Sequence, residues 1–69
     1  MATIDIAGKT YTVSFEFPNG TFYLVGPKGG CPIVAKPYKG SYVFIPAKGK
    51  TPIRSAGKMV TATREQLAA

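Results

Sequence analysis

The sequence predicts an all-β domain. The expected form is a small SH3-like barrel or rolled antiparallel sheet of about five to seven short strands, with a short C-terminal helical turn. Three observations carry this expectation. Apolar and polar residues alternate over short runs, the pattern of strands with one face in a core and one in water. Eight glycines and six prolines are distributed between those runs and break the chain into short pieces. The length of 69 residues suits one small domain spanning 1–69, and an OB-fold normally needs more.

The first unit reads as a hairpin. Thr3–Ile6 alternates, Ala7-Gly8-Lys9 turns, and Thr10–Phe17 alternates again. In the second run Tyr11, Val13, Phe15 and Phe17 are expected on one face, with Thr12, Ser14 and Glu16 on the other. Pro18-Asn19-Gly20 is a turn signal, and its Asn-Gly pair favours a two-residue hairpin loop. A strand from Thr21 to Val25 follows and is broken by Gly26-Pro27-Lys28-Gly29-Gly30. Cys31 to Lys36 extends, Pro37 to Gly40 turns, and Ser41 to Ile45 extends again. After a turn over Ala47–Lys50, Thr51–Ser55 pairs weakly and Lys58–Ala62 closes the set. Thr63-Arg-Glu-Gln66 has the spacing of a capping box, which starts a helix of one or two turns carrying Leu67.

A repeat at an offset of 20 lays Gly20–Ile33 over Gly40–Ile53. Gly20/Gly40, Lys28/Lys48, Gly29/Gly49, Pro32/Pro52 and Ile33/Ile53 are identical, and Phe22/Tyr42 and Val25/Ile45 are close substitutions. Two similar strand–loop–strand units would put Lys28 and Lys48 at equivalent loop tips. Shared turn chemistry alone produces the same coincidence.

The charge is uneven. Met1–Pro27 carries one lysine and two carboxylates, whereas Lys28–Arg64 carries eight basic residues and no acid; the net charge is +6. Such a balance points to an anionic partner. Charged residues are only 17% of the chain against about 25% in an average domain, while apolar residues reach 45%. Disorder is thereby excluded. The apolar runs are too short to span a membrane as helices. The N-terminus lacks a basic segment followed by an apolar stretch, so an intracellular or virion location is expected rather than classical secretion.

Catalysis finds little support. There is no histidine to act near neutral pH, and the three carboxylates Asp5, Glu16 and Glu65 form no evident acid–base pair. Cys31 has no visible base partner and reads as a small buried hydrophobe. One cysteine without histidine offers neither a disulfide nor a zinc site, so no metal, cofactor or small-molecule substrate is expected.

Two binding functions remain. Strands Thr21–Val25 and Ser41–Ile45 are apolar on both faces, and a barrel this small has one interior. The surplus face is covered by the C-terminal turn with Leu67 or by another chain, unless bent strands switch faces at a bulge. The first expectation is therefore a non-enzymatic structural or accessory subunit that docks on a larger protein assembly, or on copies of itself. A virion (capsid) decoration or stabilising protein is the concrete form. Apolar faces around Tyr23, Val25, Tyr42 and Phe44 would supply affinity, and basic loops would steer. The alternative is a nucleic-acid-binding barrel whose lysines contact phosphates while tyrosines stack on bases. For either partner the candidate residues are Lys28, Lys36, Lys39, Lys48, Lys50, Arg54, Tyr23 and Tyr42.

Overall fold

The structure, a computed structural model, describes residues 2–27 and 30–68. It is an all-β, SH3-like fold with a short helix at the C-terminal end. The strands are β1 (Thr3–Ile6), β2 (Lys9–Glu16), β3 (Phe22–Val25), β4 (Ile33–Tyr38), β5 (Ser41–Pro46), β6 (Arg54–Ser55), β7 (Lys58–Met59) and β8 (Thr61–Ala62), followed by α1 (Arg64–Ala68). Six strands form one antiparallel sheet in the order β1-β2-β3-β4-β5-β8, and β6 and β7 form a separate two-stranded ribbon. The sheet curls into a half-barrel, and α1 packs against β1 across its open side.

Turn chemistry sets most of this register. Ala7 and Gly8 have φ of 51° and 82°, Lys39 and Gly40 have 48° and 83°, and Ala56 and Gly57 have 54° and 79°. Positive φ at both central residues is the type I′ signature of two-residue hairpins, whose twist matches that of the flanking strands. Ile6 accordingly pairs with Lys9, Tyr38 with Ser41, and Ser55 with Lys58. The turn expected over Pro37–Gly40 shrinks to Lys39-Gly40, and β4 runs on through Pro37. That proline lies beyond the last β3 pairing at Ala35, where its missing N–H interrupts no ladder.

The Asn19-Gly20 turn differs from expectation. Asn19 does not adopt positive φ, Gly20 does at 91°, and the Gly20 amide donates to the Phe17 carbonyl at 3.0 Å. Phe17 donates in turn to Thr21 at 2.7 Å, which makes a three-residue loop. The Asn19 side chain accepts from the Thr21 amide at 3.0 Å, a local bond that competes with the two-residue alternative.

The larger correction lies in β2. Val13 pairs with Leu24 but Phe15 pairs with Tyr23, so Ser14 is an extra residue in a β-bulge. A bulge inverts the alternation beyond it. Tyr11 and Val13 point into the core as expected, whereas Phe15 and Phe17 stand on the solvent side, 48% and 36% exposed.

The core comprises Ile6, Tyr11, Val13, Phe22, Leu24, Ile33, Ala35, Phe44, Ala62 and Leu67. Leu67, expected as one cover for the surplus apolar face, instead enters this core at 1% exposure. It is held there by a complete capping box: the Gln66 side chain accepts from the Thr63 amide at 2.8 Å, and the Thr63 hydroxyl accepts from the Gln66 amide at 3.2 Å. The expected strand over Lys58–Ala62 is divided, its first part pairing with β6 and its last with β5.

The repeat has a structural counterpart in part. Gly20 and Gly40 both take positive φ, and Leu24 and Phe44 are both fully buried. Phe22 and Tyr42 meet edge to face at 5.5 Å. Lys28 lies outside the described residues, so its equivalence to Lys48 is not described either.

Candidate binding surface

The candidate surface is the outer face of the sheet, and the bulge at Ser14 creates it. Register places Phe15 opposite Tyr23, Tyr23 opposite Val34, and Val34 opposite Ile45. These four side chains form one row across β2, β3, β4 and β5, about 14 Å long at the ordinary strand spacing. Directly opposed residues on one face are the contacting unit of a sheet, so the row is continuous. Val25, 36% exposed, extends it on β3.

Three rings dominate this face. Phe15 and Tyr23 stack with centroids 5.1 Å apart and planes 20° from parallel. Phe17 meets Phe15 edge-on at 4.8 Å and Tyr23 edge-on at 6.2 Å. Offset stacking and edge contacts are the favourable aromatic geometries, so the three rings hold one another in place. Its ring faces are partly engaged with one another.

Charge on this face is positive along β4. Lys36 follows Val34 by two residues and shares its side of the sheet, about 7 Å away. Tyr38 comes next and is exposed, with the Lys39 ammonium 5.3 Å from its ring centroid. No carboxylate lies in the rows that hold Phe15, Tyr23, Val34 and Lys36. Asp5 lies on the outer side at the β1 edge, where it accepts from the Thr10 hydroxyl at 2.7 Å.

The remaining candidate cations stand elsewhere. Antiparallel connections alternate between the two ends of the sheet, so the β5–β6 loop with exposed Lys48 and Lys50 shares an end with the β1–β2 turn and Lys9. Arg54 and Lys58 are exposed on the β6–β7 ribbon. The fold thus puts Lys36 on the same face as Tyr23, one position beyond Val34 on that face, and Lys48 and Lys50 together in an end loop, which separates the two groups. Lys28 falls outside the described residues.

Tyr42 does not share a face with Tyr23. It is half-buried on the concave side, where its ring meets Phe22 and its hydroxyl accepts from Arg64 Nη1 at 3.1 Å. Phe44, beside it on the same side, is 0% exposed. The surface that Tyr42 and Phe44 were expected to offer is the core itself. Parity explains the difference, because β5 is apolar on both faces and nothing in its residue types says which one turns inward.

Arg64 has a defined task. Its Nη2 donates to both Glu16 carboxylate oxygens at 3.1 Å, and its guanidinium lies 5.4 Å from the centroid of the Phe22 ring. The Tyr42 hydroxyl, followed by the Glu16 carboxylate, raises the Arg64 pKa above the usual arginine value. This is the only ion pair among the described residues.

The three carboxylates occupy separate places: Asp5 on β1, Glu16 against Arg64, and Glu65 in the first turn of α1. Cys31, expected to be buried, is instead exposed and lines a shallow cleft of about 210 Å³ with Lys9, Tyr11, Gly26, Pro27 and Gly30. A Cβ on Gly26 would come within 3.4 Å of the Tyr11 ring and 3.3 Å of the Cys31 carbonyl, so the cleft floor depends on that glycine. No helix among the described residues is long and apolar enough to cross a membrane. No family model, curated protein or solved structure matches the chain.

Phe15 and Phe17 are the surface residues that sequence patterning missed. Their alternation with Tyr11 and Val13 argued for burial, and Ser14 carries no marker of a bulge. The available signal was an excess: more apolar positions than one small interior holds.

Proposed function

We propose that this chain is a non-enzymatic accessory subunit that docks on a larger protein assembly through the outer face of its sheet. A virion decoration or stabilising protein is one concrete form. The observation that carries the reading is the packed cluster of Phe15, Phe17 and Tyr23 on the solvent side, continuous with Val34 and Ile45. Solvent-facing aromatic clusters resting on a rigid scaffold are what interface hot spots are made of, since little side-chain entropy remains to be lost on binding. The lysine loops at the sheet end and on the β6–β7 ribbon act in steering and orientation.

Nucleic acid is the competing partner. Against it stand the opposed faces of Tyr23 and Tyr42 and the division of the lysines between separate parts of the fold. A phosphate track needs cations in series beside open ring faces.

The test is retention of partners from an extract of the source organism by immobilised chain, comparing wild type with the double variant F15S/Y23S. A protein held by wild type through nuclease treatment and about 0.5 M salt, and absent from the variant, is the expected result. Retention abolished by nuclease, or by salt alone, overturns the proposal in favour of the nucleic-acid reading.

A further inference from the structure

We infer that the outer sheet face accepts an apolar, carboxylate-bearing segment of a partner protein, whose acidic groups meet Lys36 and Lys39. The inference rests on the docking reading and adds the chemistry of the occupant. Its basis is the order of side chains along the face. The aromatic cluster and the row through Val34 and Ile45 supply the apolar centre. Lys36 and Lys39 follow on and beside β4, where the Lys39 ammonium already lies over Tyr38. Among the described residues neither lysine forms an ion pair, so both charges face a partner.

The same arrangement argues against a second copy of the chain as occupant. Two such faces brought together would offer Lys36 and Lys39 only the edge carboxylate Asp5, which already accepts from Thr10, between chains that each carry a net charge of +6. Like charges juxtaposed across an interface oppose association. Single-stranded nucleic acid fits less well for a geometric reason. Phe15 and Tyr23 stack on each other at 5.1 Å, and Phe17 closes the cluster edge-on, so a base would have to separate rings already in contact. A protein segment needs only to lie on the cluster as it stands.

The inference is tested by titrating the isotope-labelled full chain and following its backbone amide resonances. The probes are three soluble peptides of about a dozen residues, each with a Leu-Phe-Leu centre, flanked by glutamates, serines or lysines; an oligothymidylate of similar length is a fourth. The glutamate peptide is expected to shift the amides of Phe15, Tyr23, Val34 and Lys36 and to bind about tenfold more tightly than the serine peptide. The double variant K36E/K39E, which changes exposed side chains only, should reverse the preference toward the lysine peptide. Equal binding of the glutamate and serine peptides overturns the inference, as does an unaltered preference in K36E/K39E. Tighter binding of the oligothymidylate at the same amides also overturns it. These outcomes are separable from failure of the docking reading: F15S/Y23S loses its partner from extract whether or not carboxylates contribute.

Discussion

Arg64 and Glu16 are 48 residues apart in the chain and 3.1 Å apart in the fold. Glu16 reaches Arg64 because the Ser14 bulge inverts the alternation of β2. Without that inversion the carboxylate would stand on the outer face, where Phe15 now stands. A single extra residue therefore does two things at once: it moves aromatic rings out to a surface and brings an acid in to hold the C-terminal helix. The guanidinium serves both the carboxylate and the Tyr42 hydroxyl while lying over Phe22.

Removing the guanidinium should loosen the helix without unfolding the sheet. Arg64→Ala is expected to lower the melting temperature and to accelerate hydrogen exchange at the Leu67 amide. Arg64→Lys should restore little, because an ammonium lacks the planar fork that reaches both oxygen partners from above a ring. The pH dependence follows from the sign of the shift. A pKa raised on folding contributes stability that is complete below the unfolded value and lost only as pH rises through the folded one. Titration of Arg64 itself therefore should not alter its contribution from neutral to moderately alkaline pH. Thermal melts of wild type and Arg64→Ala across that range check this.

Leu67 anchors the helix in the core at 1% exposure. Leu67→Ala should cost about 2–5 kcal/mol, a large share of the stability of a domain this small. Phe15→Ser, on the outer face, should cost less, about 1–2 kcal/mol, the worth of its two ring contacts. Urea denaturation of both variants measures the contrast. A large loss at Phe15 would mean that the aromatic cluster supports the fold rather than standing ready for a partner.

Two type I′ turns place alanine at positive φ, Ala7 at 51° and Ala56 at 54°. An L-residue with a Cβ is strained there, and asparagine tolerates this conformation better. Ala7→Asn and Ala56→Asn are each expected to add roughly 0.5–1 kcal/mol of stability. Melting curves should rise for both variants with no change in the amide spectrum away from the turns.

Deleting Ser14 should restore strict alternation in β2. Val13 would keep Leu24 as its partner, Phe15 would keep Tyr23 and Glu16 would keep Phe22, so Phe15 stays on the outer face and Glu16 on the inner one. The deletion variant should therefore fold with its outer aromatic cluster and its Glu16–Arg64 ion pair intact. A near-ultraviolet circular dichroism spectrum close to that of wild type, with a cooperative thermal melt, is the expected result; loss of either means that the bulge itself is needed for the curl of the sheet.

Much of the fold was legible in the residues. Tyr11 and Val13 announced a strand by their spacing, Ala7-Gly8 announced a tight turn, and Thr63 and Gln66 formed the reciprocal bonds that their spacing foretold. Local chemistry acts over two to four residues, and these features need no more. The bulge at Ser14 was not legible because a serine fits a regular strand as readily as an irregular one. Exposure of the described lysines was foreseeable from their charge. The inward turn of Tyr42 was not, since Val43 and Ile45 made an equally apolar opposite face. Nor could spacing foretell the partnership of Arg64 with Glu16, which exists only once six strands have curled.

From β1 to β5 every neighbouring pair of strands in the sheet is also consecutive along the chain. Such a meander is built from local encounters, which form quickly because little loop entropy is lost at each step. The packing of α1 against β1 joins the two ends of the described chain and has no such advantage. Contacts made after the rate-limiting step govern unfolding rather than folding. Stopped-flow measurements on Leu67→Ala should accordingly show a folding limb close to that of wild type and a faster unfolding limb. The helix acts as a clasp: the persistence of the folded state, more than the speed of reaching it, depends on residues 64–67.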